Sequence, residues 1–83
     1  MRVLYFAWVK EKTGVAAEDI DVPAGVETVA QLIDWLRTRG PEFENAFAQP
    51  EIVRAAVDLA YVRHDAPITG AREIAFFPPV TGG

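Results

Sequence analysis

The residues with the plainest chemical opportunity are the last six of the sequence, Pro78-Pro79-Val80-Thr81-Gly82-Gly83. A proline pair removes two backbone donors and fixes φ at about −65°, so a strand running up to Phe77 must stop there and the chain beyond is aimed outward as a stiff lever. Six residues reach roughly 20 Å when extended, at about 3.3 Å each. Gly82 and Gly83 lack Cβ atoms, which lets a backbone thread a narrow channel and lets a reactive group come close to a terminal carbonyl. An α-carboxylate, with a pKa of about 3.5, is ionised at neutral pH and is a poor electrophile until activated; adenylation would give it a leaving group. Alone, a Gly-Gly end is a weak signal, because chain ends are commonly small and polar. Its weight comes from the proline hinge and from the aromatic run Ala75-Phe76-Phe77 ahead of it.

Elsewhere the side chains offer little. The sequence has no cysteine, which excludes disulfides, thiolate metal sites and a thiol nucleophile together. His64 beside Asp65 reads as a surface turn, because no motif sets a nucleophile against it. Glu42 with Glu44, and Glu18 with Asp19, read as solvated faces without metal-ligand spacing. Trp35 reads as packing. With 83 residues, 51% of them hydrophobic and 24% charged, the chain is expected to form one domain with one core. A core of that size leaves little room for an internal active site, so chemistry belongs at an edge or an end.

Net charge is −4 and the eight cations are scattered, so the footprint for a phosphate backbone is missing and no nucleic-acid partner is expected. A mildly acidic surface suits solubility first and docking onto a basic protein site second. The apolar start Met1–Trp8 is too short before Lys10, Glu11 and Lys12 to be a signal peptide, and no stretch could span a bilayer. With no disulfides, a reducing cytoplasm is the expected location.

The elements that must position the tail follow from periodicity. A strand is predicted over Arg2–Val9, almost all apolar, with Val3, Tyr5 and Ala7 on one face and Leu4, Phe6 and Trp8 on the other. One face meets the core; the other needs a partner. After the polar link at Thr13 and Gly14, Glu18–Val22 reads as the second strand of a hairpin. Thr28-Val29-Ala30-Gln31 is a capping box, and Val29, Leu32, Ile33 and Leu36 then form the stripe of one amphipathic helix that Gly40 and Pro41 stop. Phe43 and Phe47 suit one or two helical turns closing the end of the core. Ile52–Val57 and Ala60–Arg63 read as strands with Asp58 in their turn, and Glu73–Phe77 as the last strand. The order β-β-α-β-β-β, with one main helix across one face of a mixed sheet, is the α+β arrangement called β-grasp or ubiquitin-like. The expected division is a domain over residues 1–77 and a flexible tail over 78–83. Fold order alone does not assign function.

Phe76-Phe77-Pro78-Pro79-Val80-Thr81-Gly82-Gly83 resembles the terminal signature of the small subunits of molybdopterin synthase, ubiquitin-like sulfur carriers of molybdenum cofactor synthesis. The resemblance covers the whole chain: Val3-Leu4-Tyr5-Phe6-Ala7, the helix opening at Thr28-Val29, Ala55-Ala56-Val57 and Pro67-Ile68-Thr69-Gly70 match in order and spacing. Asp58 departs, standing where the family pattern has asparagine, which touches a turn and not the reactive end. The resemblance implies that an E1-like enzyme adenylates the Gly83 carboxylate with ATP and that a sulfur donor replaces AMP. The thiocarboxylate then supplies sulfur to the dithiolene of molybdopterin, made from cyclic pyranopterin monophosphate in the active site of a large subunit. Two carrier cycles are needed per product.

On the same ground the chain is a non-catalytic subunit, one of two small ones in a heterotetramer with two large ones. It is expected to bind no cofactor and no metal, and to carry 1-thioglycine or glycyl adenylate covalently at Gly83. Pro78 and Pro79 would aim the tail, and Val80, Thr81 and Gly82 would contact the partner's channel. A sequence without cysteine agrees with sulfur held at a carboxyl end.

Phe6, Trp8, Tyr61 and Phe77 could share the sheet face that the helix leaves uncovered, an apolar patch of the kind that marks a partner site. The resemblance puts Phe6, Tyr61 and Phe77 against the large subunit and the activating enzyme. The plainer alternative is core packing, since a one-residue slip exchanges the two faces of a strand. Three rival functions stay open: a thiamin-pathway sulfur carrier, which is usually shorter and lacks the Phe-Phe-Pro-Pro-Val-Thr lead-in; a ubiquitin-like modifier of lysines; and a non-covalent interaction module with an inert tail.

Overall fold

The computed structural model describes residues 1–79, so the expectations for Val80, Thr81, Gly82 and Gly83 lie outside the described residues. The chain opens with β1 (Arg2–Tyr5), turns into α1 (Ala7–Thr13) and returns as β2 (Ala17–Asp19). Two helices follow, α2 (Val29–Arg37) and α3 (Pro41–Ala46), then a single 3-10 turn over Pro50–Ile52. The strands β3 (Arg54–Val57), β4 (Ala60–Val62) and β5 (Glu73–Phe77) complete the element order. All five strands lie in one mixed sheet ordered β2-β1-β5-β3-β4, with β1 and β5 parallel at its centre and the other pairs antiparallel. This is the β-grasp architecture.

The main helix forms as its sequence dictates. Thr28 Oγ1 accepts from the Gln31 amide at 3.2 Å, while the Gln31 side chain accepts from the Thr28 amide at 3.1 Å. Its first-turn donors do not stay empty, because Val29 and Ala30 donate to the carbonyls of Ala66 and His64. Val29, Leu32, Ile33 and Leu36 are buried along one stripe. They meet Val3, Tyr5, Ile74 and Phe76 from the two central strands. Tyr5, Phe43, Phe47 and Phe76 close one end of the core as an aromatic cluster with ring centroids 5.2 to 6.4 Å apart.

Four strands differ from expectation in their bounds. The strand expected over Arg2–Val9 ends at Tyr5, because Ala7 takes a positive φ of 52° and the chain wraps into α1, where Val9 and Lys10 donate to the Phe6 carbonyl. A continuous apolar run cannot by itself separate a strand from a buried helix. The discriminating signal lay in Val9 and Thr13, four apart and both buried, with Gly14 after them in the left-handed conformation (φ 77°), donating to the Lys10 carbonyl. The second strand is Ala17–Asp19 in place of Glu18–Val22. Ile52 falls in the 3-10 turn begun by Pro50, so β3 starts two residues later than expected, and β4 ends before Arg63.

Candidate functional site

Strand alternation and register decide what surrounds the root of the tail. Tyr5, Phe76 and Ala55 are partners across β1, β5 and β3, and all three are buried beneath the helices. One residue earlier on β1 and β5, the row on the opposite face reads Ala17, Leu4, Ala75, Ala56 and Tyr61 across all five strands. That row is entirely apolar, and flat wherever alanine occupies it. Next along β5 comes Phe77, set opposite Arg54 on β3. Phe6, extended at φ −124° and ψ 154°, continues the outward alternation of β1, and its amide donates to the Phe76 carbonyl.

Of the four aromatics expected on the uncovered face, the structure packs two against each other. The Tyr61 and Phe77 rings lie 5.5 Å apart, tilted by 45°. Tyr61 is 82% exposed and Phe6 48%. Phe77 is half-buried and runs directly into Pro78 and Pro79, which are irregular and half-buried, so the sheet ends where the prolines begin. Trp8 does not join this face. It sits on α1, partly buried against the core, with Lys12 Nζ 5.1 Å from its ring centroid.

His64 makes no dyad with a nucleophile; its Nε2 donates to the Val53 carbonyl at 2.7 Å. The expected solvated carboxylates prove partly engaged. Glu44 takes two bonds from Arg37 at the surface. Glu18 belongs to a network that the sequence did not announce: it accepts from the Tyr5 hydroxyl at 2.7 Å and from both terminal nitrogens of Arg39 at 2.7 and 2.8 Å. The Arg39 guanidinium also lies over the Trp35 and Phe43 rings, 5.3 and 4.7 Å from their centroids. Arg39 holds the Glu18 carboxyl below the usual glutamate range, with burial opposing it. Burial first, and then the bond to Glu18, push the Tyr5 phenol far above its ordinary value, so it remains a donor.

Among the described residues no group of three His, Asp or Glu side chains could hold a metal ion, and no helix is long and apolar enough to cross a membrane. What the described surface offers is an exposed apolar face, centred on Tyr61 and Phe77, where the last strand runs into Pro78 and Pro79.

Comparison with known proteins points the same way. The ThiS family profile matches residues 3–83. The molybdopterin synthase sulfur carrier subunit of Escherichia coli (strain K12) is 37% identical over 83 residues, covering 100% of this chain and 99% of that protein. The protein of the same description from Dictyostelium discoideum is 34% identical over 84 residues, covering 99% and 94%. Among solved structures, SAMP1 from Haloferax volcanii superposes with a TM-score of 0.72 at 25% identity, over 99% of this chain and 97% of its own. With its fold in agreement and the family match running over residues 3–83, the chain belongs to the ThiS family, alongside the sulfur carrier subunits of molybdopterin synthase.

Proposed function

We propose that this chain is the sulfur carrier subunit of molybdopterin synthase and that the Gly83 carboxyl is its working group. An E1-like partner adenylates Gly83, a sulfur donor displaces AMP, and the thiocarboxylate enters the large subunit. There it gives sulfur to the dithiolene of molybdopterin, in a heterotetramer of two small and two large subunits. The observation that carries this reading is the apolar row ending in the Tyr61–Phe77 pair on the face without helices, with Phe77 leading straight into Pro78 and Pro79. A partner seated there would hold the globule, and six residues from Pro78 to Gly83, with a full reach of roughly 20 Å, are long enough to deliver an acyl group into a recessed site. Phe6, Tyr61 and Phe77 are the anchors, and Val80, Thr81 and Gly82 line the channel.

Mass spectrometry of the chain incubated with its adenylating enzyme, ATP and a sulfur donor tests the proposal. The expected result is a mass gain at Gly83 matching one oxygen replaced by sulfur, and loss of molybdopterin formation when Gly83 is deleted. Conjugates on lysines would replace this reading with a protein modifier. An unchanged mass, or full molybdopterin synthesis by the truncated chain, would refute it.

A further inference from the structure

Charge is unevenly placed around the root of the tail. Arg54 stands opposite Phe77 in the sheet and lines a depression with Tyr61, Val62 and Phe77. The same arginine lines a neighbouring depression with Glu51, Arg63 and His64, so the two share a wall. Among the described residues Arg54 and Arg63 have no carboxylate partner, whereas Arg37 and Arg39 are held by Glu44 and Glu18. Among the described residues the Arg54 guanidinium donates only to the carbonyl of Glu51, at 3.3 Å. Among the described residues Glu51 is the one carboxylate lining either depression.

Asp19 and Glu73 flank Arg2 in a single row at the far end of β5, with Asp58 beside Glu73, four residues and about 13 Å from Phe77. A chain of net charge −4 thus turns a cationic edge toward whatever receives its tail.

We propose that this edge seats on an acidic protein surface, with Arg54 and Arg63 facing carboxylates on the rim around the partner's tail channel. The partner named is the large subunit, which rests on the sulfur-carrier reading. Unpaired guanidiniums beside an exposed aromatic pair are typical of protein interfaces, since they desolvate more readily than ammonium groups and bind carboxylates in a fixed fork. Charge complementarity at such a rim steers encounter and fixes orientation. A nucleic acid is the weaker fit, because a body of net charge −4 repels a polyanion more than two arginines attract it.

Titration calorimetry with the large subunit from the same organism tests this. Affinity of the unaltered chain is expected to fall severalfold between about 50 and about 500 mM salt. The double variant Arg54→Glu/Arg63→Glu is expected to bind about tenfold or more weakly at low salt, and to recover as salt rises. The Arg54→Lys/Arg63→Lys variant keeps the salt dependence of the unaltered chain. Circular dichroism checks that the exposed substitutions leave the fold alone. Salt-independent binding of the unaltered chain, or equal or tighter binding of the charge-reversed one, overturns the inference. So does a failure of the unaltered chain to bind, and sulfur uptake at Gly83 then tells whether the carrier reading falls with it.

Discussion

Glu18 ties three parts of the chain together: its own strand β2, Tyr5 on β1 and Arg39 beyond the end of α2. Arg39 lowers its carboxyl below the ordinary glutamate value of 4.5. A carboxyl whose folded pKa is depressed stabilises the fold above its unfolded pKa and loses that contribution as pH falls through the folded one. The melting temperature is therefore expected to drop between about pH 5 and about pH 3, and to drop less steeply in Glu18→Gln, whose amide does not titrate. Equal acid limbs for the two proteins would remove Glu18 from the account. Glu44 shifts in the same direction through Arg37, but it lies at the surface, where solvent screens the pair.

At the scale of the element, the β3–β4 hairpin stores strain in the open. Its two turn residues, Asp58 and Leu59, have positive φ values of 48° and 72°, the geometry of a type I′ turn that favours Asn-Gly or Asp-Gly. Leu59 is 88% exposed, so nothing packs against it in return. Leu59→Gly is expected to raise stability by about 1 kcal/mol in chemical denaturation, because the left-handed region penalises a Cβ by about that amount. A lower stability would mean that the turn is relaxed in solution. Asp58 Oδ1 accepts from the amides of Arg72 and Glu73, both at 3.0 Å, a task an asparagine oxygen does equally well. Aspartate and asparagine are therefore interchangeable for the turn's bonding at this position.

The whole molecule separates a buried core that holds the fold from an apolar face that the helices leave uncovered. Phe76 lies in the aromatic cluster with Tyr5 and Phe47, while its neighbour Phe77 meets Tyr61 on the outside. Phe77→Ala is accordingly expected to leave the fold intact and to weaken association with the large subunit by about 1 kcal/mol or more, as loss of a central aromatic anchor commonly does. Calorimetry giving the same affinity as the unaltered chain would take Phe77 out of the interface.

Local patterns decided much of this. The capping box at Thr28, the stripe from Val29 to Leu36, the bounds of Glu73–Phe77 and the stop at Pro78 are written in spacing and in residues with fixed conformational preferences, and the structure reproduces them. The β-grasp arrangement followed from their order. Tertiary structure alone decided three other things. It ended the first strand at Tyr5, since an apolar run suits either a two-faced strand or a buried helix until its neighbours choose. It joined Tyr5, Glu18 and Arg39, which lie 13 and 21 residues apart in pairs and share no periodicity. It also gathered Arg54 and Arg63 beside Phe77 in a chain whose net charge is negative, because charge composition is a sum over residues and carries no record of which of them the sheet register brings together.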